Sequence, residues 1–268
     1  MKKFINNAAI LILLLTLISC ATSPTGRNQL MLVSEEAAID SSKTAYVEML
    51  KPYREGGKLD NDPKLKARVD RITGRLIAQA IKMRPDTKEW AWSMKILDEP
   101  KTVNAWAMAG GKMALYTGLI EQIKPTDDEL AQVLAHEISH ALAKHTAEKL
   151  SVAMASQLGL LAIAASTDNE KVLAGSLVVA KLAIDLPHSR SAEEEADLMG
   201  IELAAKAGYD PRAAATLWQK MGKISGSQVP QFLSTHPSSS NREERLRKLA
   251  SKMMPYYQAP GERPSFKY

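Results

Sequence analysis

The sequence predicts an α+β fold that is mostly helical, with a small antiparallel sheet and a central helix that carries the candidate site. Of the 268 residues, 45% are hydrophobic and 24% are charged, which is typical of a folded globular chain. Apolar residues recur at helical spacing in several long segments. Two shorter stretches alternate apolar and polar residues, as half-buried strands do. A chain of this length can bury a sizeable core.

Composition excludes several classes of protein. The single cysteine rules out a disulfide framework and a cysteine-rich zinc finger. The 35 Lys and Arg residues against 30 Asp and Glu residues give a net charge of +5. These charges are scattered rather than clustered in a stripe, so we expect no nucleic-acid partner.

The amino terminus is typical of an export signal. Lys2 and Lys3 precede an apolar run at 8–18, which is too short to span a bilayer and suits a signal-peptide core. The run ends in Leu-Ile-Ser followed by Cys20, which resembles a bacterial lipobox. The resemblance implies a signal peptide at 1–19, cleavage before Cys20 and lipid on that residue.

The residue after the cysteine bears on sorting. It is Ala21 and not Asp, which by the same resemblance implies the outer membrane, facing the periplasm. Residues 20–33 are then the lipidated cysteine and a polar tether. An ordinary secretory peptide or an uncleaved anchor remains the alternative.

Most of the mature chain, 34–254, is predicted as one helix-rich domain, followed by an irregular tail at 255–268. Caps and apolar periodicity set the helix boundaries. Helices are predicted from Ser34 to about Leu50, from Asp62, from Thr126 to about Leu150, over 152–165 and 172–184, from Ser191 to Lys206, after Asp210 and from Ser240.

The sheet is predicted from two segments. Trp90, Trp92, Met94 and Ile96 alternate with polar or small residues, which indicates a strand. The segment 103–117 has two such runs around Gly110 and Gly111, which indicates a β-hairpin. The two apolar helices at 152–165 and 172–184 are expected to be buried, with membrane dipping or a flap over the site as the alternatives.

Residues 136–140 read His-Glu-Ile-Ser-His in the middle of a predicted helix. His136 and His140 fall about 40° apart on one helix face, so both imidazoles can bind one metal ion. Glu137 lies about 100° round the helix, within reach of a water at that ion. Two solvated histidines beside an ordinary glutamate are the alternative. His145 is predicted to lie off this face, as a surface residue.

A third zinc ligand is expected on a later helix. Glu193 and Asp197 share a face at i and i+4, so Glu193 can approach the metal while Asp197 accepts a hydrogen bond from a ligand histidine. Glu194 and Glu195 would then face solvent. Spacing alone favours Glu193 over these two neighbours only modestly.

Taken together, these motifs resemble the HtpX-like and CAAX-prenyl-protease-like zinc metallopeptidases, best their periplasmic lipoprotein branch, the LoiP-like proteases. The resemblance covers about 25–250 and implies a gluzincin-type zincin domain. It rests on the two zinc-site motifs, on Asn-Ala-Trp at 104–106 with the glycine pair, on Thr-Gly-Leu at 117–119, and on Thr-His-Pro at 235–237 with Arg242. One departure is His188, where the family has an aromatic residue.

The resemblance assigns roles to individual residues. By resemblance, Glu193 is the third ligand of one Zn²⁺. Asp197 does not bind the metal but supports the ligand set by hydrogen bonding. His236 resembles the family's mobile histidine near the metal, and Arg242 resembles its oxyanion-side partner. Asn104 and Ala105 lie on the implied edge strand that receives substrate.

The predicted function is that of a lipid-anchored, zinc-dependent metalloendopeptidase in which Glu137 assists attack by zinc-bound water. Family resemblance implies unfolded or misassembled envelope proteins as substrates, and a homo-oligomer or an envelope assembly partner stays open. One alternative is an envelope chaperone or assembly factor with little or latent proteolysis. Another is a structural lipoprotein in which zinc only staples the fold.

Overall fold

The structure is a computed structural model in which residues 20–167, 187–224, 230–237 and 241–268 are described. The strands are β1 Cys20–Thr22, β2 Asn28–Leu30, β3 Ser93–Leu97, β4 Ala105–Met108 and β5 Lys112–Tyr116. The helices are α1 Glu35–Glu55, α2 Pro63–Met83, α3 Thr117–Ile123, α4 Asp127–Leu142, α5 His145–Thr167, α6 Arg190–Lys206, α7 Ala213–Ile224, α8 Gln231–Thr235 and α9 Arg242–Gln258, with a 3-10 turn at Pro85–Glu89. The mostly helical α+β prediction is confirmed.

Backbone contacts divide the chain into two compact units. One contains the described residues at 20–38 and 146–167, and the other contains those at 39–145 and 187–268. In the described part of the chain, no helix is both long enough and apolar enough to cross a membrane. The predicted signal peptide at 1–19 and the predicted helix at 172–184 lie outside the described residues.

Helix α4 is the centre of the larger unit. Thr126 and Glu129 form the predicted capping box, in which each side chain accepts a hydrogen bond from the other residue's backbone N–H. Every residue from Glu129 to Leu142 is buried. Helix α6 crosses α4 closely at Gly200, where an added Cβ would lie 3.0 Å from the backbone N and Cα of His136. This close crossing brings the acidic face of α6 to the histidines of α4.

The boundary nearest the candidate site differs from the prediction, and the first helix also runs past the predicted end at about Leu50, to Glu55. The helix from Thr126 does not continue to about Leu150 but ends at Leu142, and α5 starts at His145. Lys144 takes a left-handed conformation with φ of 60°, which no helix can continue. Because Lys144 is not a glycine, the sequence carries no glycine stop signal here.

The three-stranded sheet of the larger unit has the order β3-β5-β4. The predicted hairpin is confirmed: β4 pairs antiparallel with β5 from Ala105–Leu115 to Met108–Lys112. Gly110 and Gly111 both have positive φ, as this turn requires. Strand β3 pairs parallel with β5, so the sheet is mixed and β4 is one of its edges.

The amino-terminal segment of the smaller unit is a folded hairpin rather than an unstructured tether. Strands β1 and β2 pair antiparallel. The Arg27 guanidinium donates two hydrogen bonds of 2.6 Å to Glu148 of α5, and Gln29 donates a third to the same carboxylate. The hairpin is therefore fastened to α5 by an ion pair that is largely shielded from solvent.

The carboxyl-terminal helix runs beyond the predicted boundary at 254, through Pro255 to Gln258. The tail after it is irregular, as predicted, but it packs back on α2. The Phe266 N–H donates to the Gly74 carbonyl at 2.9 Å. An added Cβ at Gly74 would lie only 2.5 Å from the Ser265 hydroxyl, so this position needs a glycine.

Candidate metal centre

The two histidines of α4 and the glutamate of α6 meet inside the larger unit. His136 Nε2 lies 3.3 Å from Glu193 Oε2, and His140 Nε2 lies 3.3 Å from Glu193 Oε1. The two Nε2 atoms are 3.1 Å apart. The side chains of His136, His140 and Glu193 are 8%, 2% and 2% exposed. The three predicted ligands thus bring their donor atoms together, away from solvent.

These separations fit one zinc ion. Ligand atoms bound tetrahedrally at about 2.0–2.1 Å lie roughly 3.3 Å from one another. The observed spacings of 3.1 to 3.3 Å match that value. Two imidazoles and one carboxylate are also a ligand set that catalytic zinc sites use.

His236 contributes a fourth donor to the same group. Its Nδ1 lies 2.9 Å from Glu193 Oε1 and 3.3 Å from His136 Nε2. The Phe232 ring stacks on the imidazole at 4.4 Å, and the Phe232 N–H donates to the Val103 carbonyl just before β4. Helix α8 therefore fastens His236 over the metal centre.

Burial and charge set the pKa values of the ligands. Burial opposes ionisation of Glu193, but the charge of His136 and hydrogen bonds from the neighbouring imidazoles hold the pKa of Glu193 well below its usual range. For His136, burial would lower the pKa, yet Glu193 and Asp197 outweigh it and raise the pKa to about 9. Burial holds the pKa of His140 well below its ordinary value. Glu193 is therefore an anionic donor and His140 a neutral one, as zinc binding requires, whereas the raised pKa of His136 means that zinc binding would release a proton from that ring.

Asp197 lies behind His136, as the spacing predicted. Its Oδ1 is 3.2 Å from His136 Nδ1, which leaves Nε2 of the same ring directed at Glu193. Arg242 donates to Asp197 at 2.6 Å and Arg245 does so at 2.7 Å. Burial works against ionisation of Asp197, but the Arg242 charge lowers the pKa of that carboxyl. The anion is thus held in place to accept the His136 N–H.

Arg242 is buried among the acidic residues of α6. Besides Asp197, its guanidinium contacts Glu193 Oε2 at 3.1 Å and stacks 3.8 Å above the Trp218 ring. These contacts favour a role in orienting Asp197 and Glu193 over the oxyanion role that the resemblance implies.

Glu137 faces the edge strand of the sheet. Its Oε2 accepts a hydrogen bond of 3.2 Å from the Ala107 N–H, and its Oε1 lies 3.3 Å from His236 Nε2. Burial raises the pKa of Glu137. A buried carboxyl with a raised pKa holds a proton more readily, which suits a group that takes up a proton and then returns it.

Asn104 and Ala105 lie at the start of this edge strand, and both are buried. The Asn104 carbonyl accepts the Tyr116 N–H of β5, and its side-chain oxygen accepts the Ala105 N–H. Because bonding alternates along an antiparallel pair, the backbone groups of Ala105 and Ala107 point away from β5. This edge of β4, which pairs with no further strand among the described residues, passes beside Glu137.

Two predictions about neighbouring residues are wrong. His145 is not on the surface but 1% exposed, and Glu195 is not solvated but 4% exposed. His145 Nε2 lies 3.1 Å from Glu195 Oε2, and His145 Nδ1 lies 2.7 Å from His140 Nδ1. The early end of α4 moves His145 off the helical register from which its exposure was predicted. Glu194, by contrast, is 55% exposed, as expected.

The unusual histidine before α6 also belongs to this neighbourhood. The His188 ring stacks on His140 with the centroids 3.9 Å apart. The sequence marked His188 only as a departure from the family's aromatic residue. As an imidazole, it keeps the flat stacking surface that an aromatic side chain would supply.

The chain matches known proteins over most of its length. A family model described as Peptidase family M48 matches residues 63–250. The chain is 37% identical over 156 residues to a mitochondrial metalloendopeptidase OMA1 of Arabidopsis thaliana, covering 58% of this chain and 31% of the relative. It is 33% identical over 238 residues to the mitochondrial metalloendopeptidase OMA1 of Bos taurus, covering 84% and 45%.

A bacterial relative is similar to the same extent. The chain is 31% identical over 226 residues to a putative beta-barrel assembly-enhancing protease of Vibrio cholerae, covering 81% of this chain and 45% of the relative. The chain thus spans about half or less of the length of these curated relatives.

Proposed function

The chain belongs to peptidase family M48, and from that premise we propose that it is a zinc-dependent metalloendopeptidase. The family identified from the sequence motifs is thereby confirmed, and its metal is zinc. One observation carries the proposal: the buried donor atoms of His136, His140 and Glu193 lie 3.1 to 3.3 Å apart, with Glu137 beside them. A zinc that only stapled the fold would need no general base at this position.

His136, His140 and Glu193 would hold the zinc, which would supply a Lewis acid that polarises a peptide carbonyl and makes water more acidic. Glu137 accepts a proton from the attacking water as the new C–O bond forms. It then delivers that proton to the leaving nitrogen as the C–N bond breaks, so that peptide and water yield an acid and an amine. The raised pKa of Glu137 supports this double role.

The substrate would extend along β4 and add a strand to the sheet. The outward backbone groups of Ala105 and Ala107 are the partners for such pairing. Substrate binding would then displace the Glu137 carboxylate from the Ala107 N–H, releasing it for the proton transfer. Because backbone pairing reads little sequence, this mode suits an endopeptidase that acts on unfolded segments.

The cell envelope is the proposed location and source of substrates. The lipobox at Cys20 supports a lipid anchor, and Ala21 supports sorting to the outer membrane. The Vibrio cholerae relative is named for beta-barrel assembly, which supports misassembled envelope proteins as the substrate class. The direct test of the activity is casein cleavage by the wild type and by Glu137→Gln, with the zinc content of both measured.

Replacing Cys20 tests the anchor. We expect Cys20→Ala to abolish incorporation of labelled palmitate and to move the protein from the membrane fraction to the soluble fraction, because acyl chains alone would hold it at the bilayer. The matched control is Ala21→Asp, which should keep the label but shift the protein from the outer to the inner membrane. Unchanged labelling of Cys20→Ala would refute lipidation at this residue.

Replacing His236 tests whether the site is self-inhibited. His236 Nδ1 lies 2.9 Å from Glu193 Oε1 and 3.3 Å from His136 Nε2, so it would compete with a substrate carbonyl or water for the open position of the proposed zinc. If the closed site is favoured by about 1.4 kcal/mol, His236→Ala should raise basal casein cleavage about tenfold. Equal or lower cleavage, with zinc content unchanged, would count against latency and favour a direct catalytic role for His236.

A further inference from the structure

A line of buried hydrogen-bonding groups extends behind the zinc ligand His140. We propose that His145, held by Glu195, is a positioning residue that fixes the tautomer and orientation of the His140 ring. The proposal rests on the zinc site of the proposed function. It adds, behind the ligand His140, a supporting pair of residues that the sequence motifs did not identify.

The distances define a continuous chain of contacts. His140 Nε2 faces Glu193 at 3.3 Å, and the other ring nitrogen, Nδ1, lies 2.7 Å from His145 Nδ1. His145 Nε2 lies 3.1 Å from Glu195 Oε2. His140, His145 and Glu195 are 1%, 1% and 4% exposed, so water does not compete for these contacts.

For a neutral His145 ring, these contacts admit one arrangement of protons. A carboxylate only accepts, so the His145 proton lies on Nε2, next to Glu195, and its Nδ1 is an acceptor. His140 must then donate from its own Nδ1. That leaves the lone pair of His140 Nε2 directed at the metal centre, which is the tautomer a zinc ligand needs.

Each of the two ligand histidines is therefore oriented by a hydrogen bond from its Nδ1, but the accepting groups differ. Asp197 of α6 accepts directly from His136 Nδ1. Glu195, also on α6, reaches His140 only through His145. His188 stacks on the face of the His140 ring and limits its tilt.

The helix break makes this arrangement possible. Lys144 in the left-handed region ends α4 and starts α5 at His145. An uninterrupted helix would place residue 145 about 140° round from residue 140. The break instead brings the two Nδ1 atoms into hydrogen-bond contact.

A second metal ion among His140, His145 and His188 is the competing interpretation, since their nitrogens lie within 4.8 Å of one another. The distance of 2.7 Å between the two Nδ1 atoms argues against it. That distance is typical of a hydrogen bond and is shorter than the roughly 3.3 Å between tetrahedral zinc ligands. Zinc stoichiometry distinguishes the two interpretations.

The test compares zinc affinities of the full chain by competition with a chromophoric chelator. His145→Leu removes the acceptor, and Glu195→Ala removes the group that orients it. We expect both to weaken zinc binding about 10- to 100-fold, which is typical for loss of such a partner. His145→Asn keeps an acceptor near the Nδ1 position, and Glu195→Gln keeps an acceptor for Nε2–H, so both should stay within a few-fold of wild type.

Thermal unfolding of the zinc-free proteins separates positioning from folding, because a purely structural role would lower that transition along with the affinity. Exposed Glu194→Gln is the control and should leave zinc affinity unchanged. If His145→Leu does not fold, the Glu195 pair decides alone. Zinc affinity within about twofold of wild type in folded His145→Leu or Glu195→Ala would overturn the proposal, as would two zinc ions per wild-type chain. Because the test measures zinc affinity and not cleavage, a wild-type protein that shows no proteolysis would refute the proposed function but not this proposal.

Discussion

Glu137→Gln is expected to lose about 10²- to 10⁴-fold in casein cleavage while keeping its zinc. The amide has nearly the shape of the carboxyl but cannot take a proton from water. Glu137 is not among the donor atoms that surround the proposed ion, so the ligand set should stay intact. Because burial already raises the pKa of this carboxyl, a neutral amide should not lower the midpoint of thermal unfolding.

The measurements are initial cleavage rates, zinc per chain and the unfolding midpoint on the same preparations. Exposed Glu121→Gln is the control and should match the wild type in all three. Cleavage retained in Glu137→Gln would refute the assignment of the general base. The chaperone alternative would be favoured if the wild type binds zinc and unfolded protein and neither it nor the His236→Ala variant cleaves casein.

Glu193→Gln is expected to lose both zinc and activity. The variant removes the anionic donor that faces both imidazoles and leaves the Arg242 charge without one of its two carboxylate partners. Removing a residue that hydrogen-bonds a metal ligand typically lowers metal affinity about 10- to 100-fold. Removing the ligand itself should therefore lower zinc affinity more than about 100-fold. Zinc content after dialysis and chelator competition both report this loss.

Glu194→Gln is the matched control, because it changes the adjacent acidic residue on the same helix. Glu194 is 55% exposed and contacts Arg245 at the surface. It should retain one zinc per chain and full cleavage. Equal zinc binding by Glu193→Gln and the wild type would show that the ion is held elsewhere.

The ligand set could be predicted from the sequence because two short helical spacings encode it. The i and i+4 spacing places His136 and His140 on one face of α4, and the same spacing places Glu193 and Asp197 on one face of α6. The structure brings both faces together where Gly200 lets the helices approach. Spacing favours Glu193 over Glu194 and Glu195 only modestly, and the family resemblance supplied the choice.

The supporting pair behind His140 could not be predicted, for two physical reasons. The prediction for His145 assumed a continuous helix, and the left-handed Lys144 that breaks it is not a glycine. Glu195 lies about 200° round α6 from Glu193, so a helical wheel assigns it to solvent. In the structure, α6 is buried on more than one side, and residue 195 meets His145.

Long-range pairing explains the remaining differences in the fold. The alternation at 90–96 predicts a strand but not its partner, and the parallel pairing of β3 with β5 depends on the crossover between them. The polar residues near Cys20 predict a tether, but in the structure this segment is held by the contact of Arg27 with Glu148, which lies 121 residues later in the chain. Neither contact leaves a local signal in the sequence.

A crystal structure of the zinc-loaded mature chain, with anomalous differences measured at the zinc edge, tests the central claim most directly. We predict one anomalous peak per chain, within bonding distance of His136 Nε2, His140 Nε2 and a Glu193 carboxylate oxygen. No peak at that position, or a Glu193 side chain turned away from a peak found elsewhere, would contradict the account.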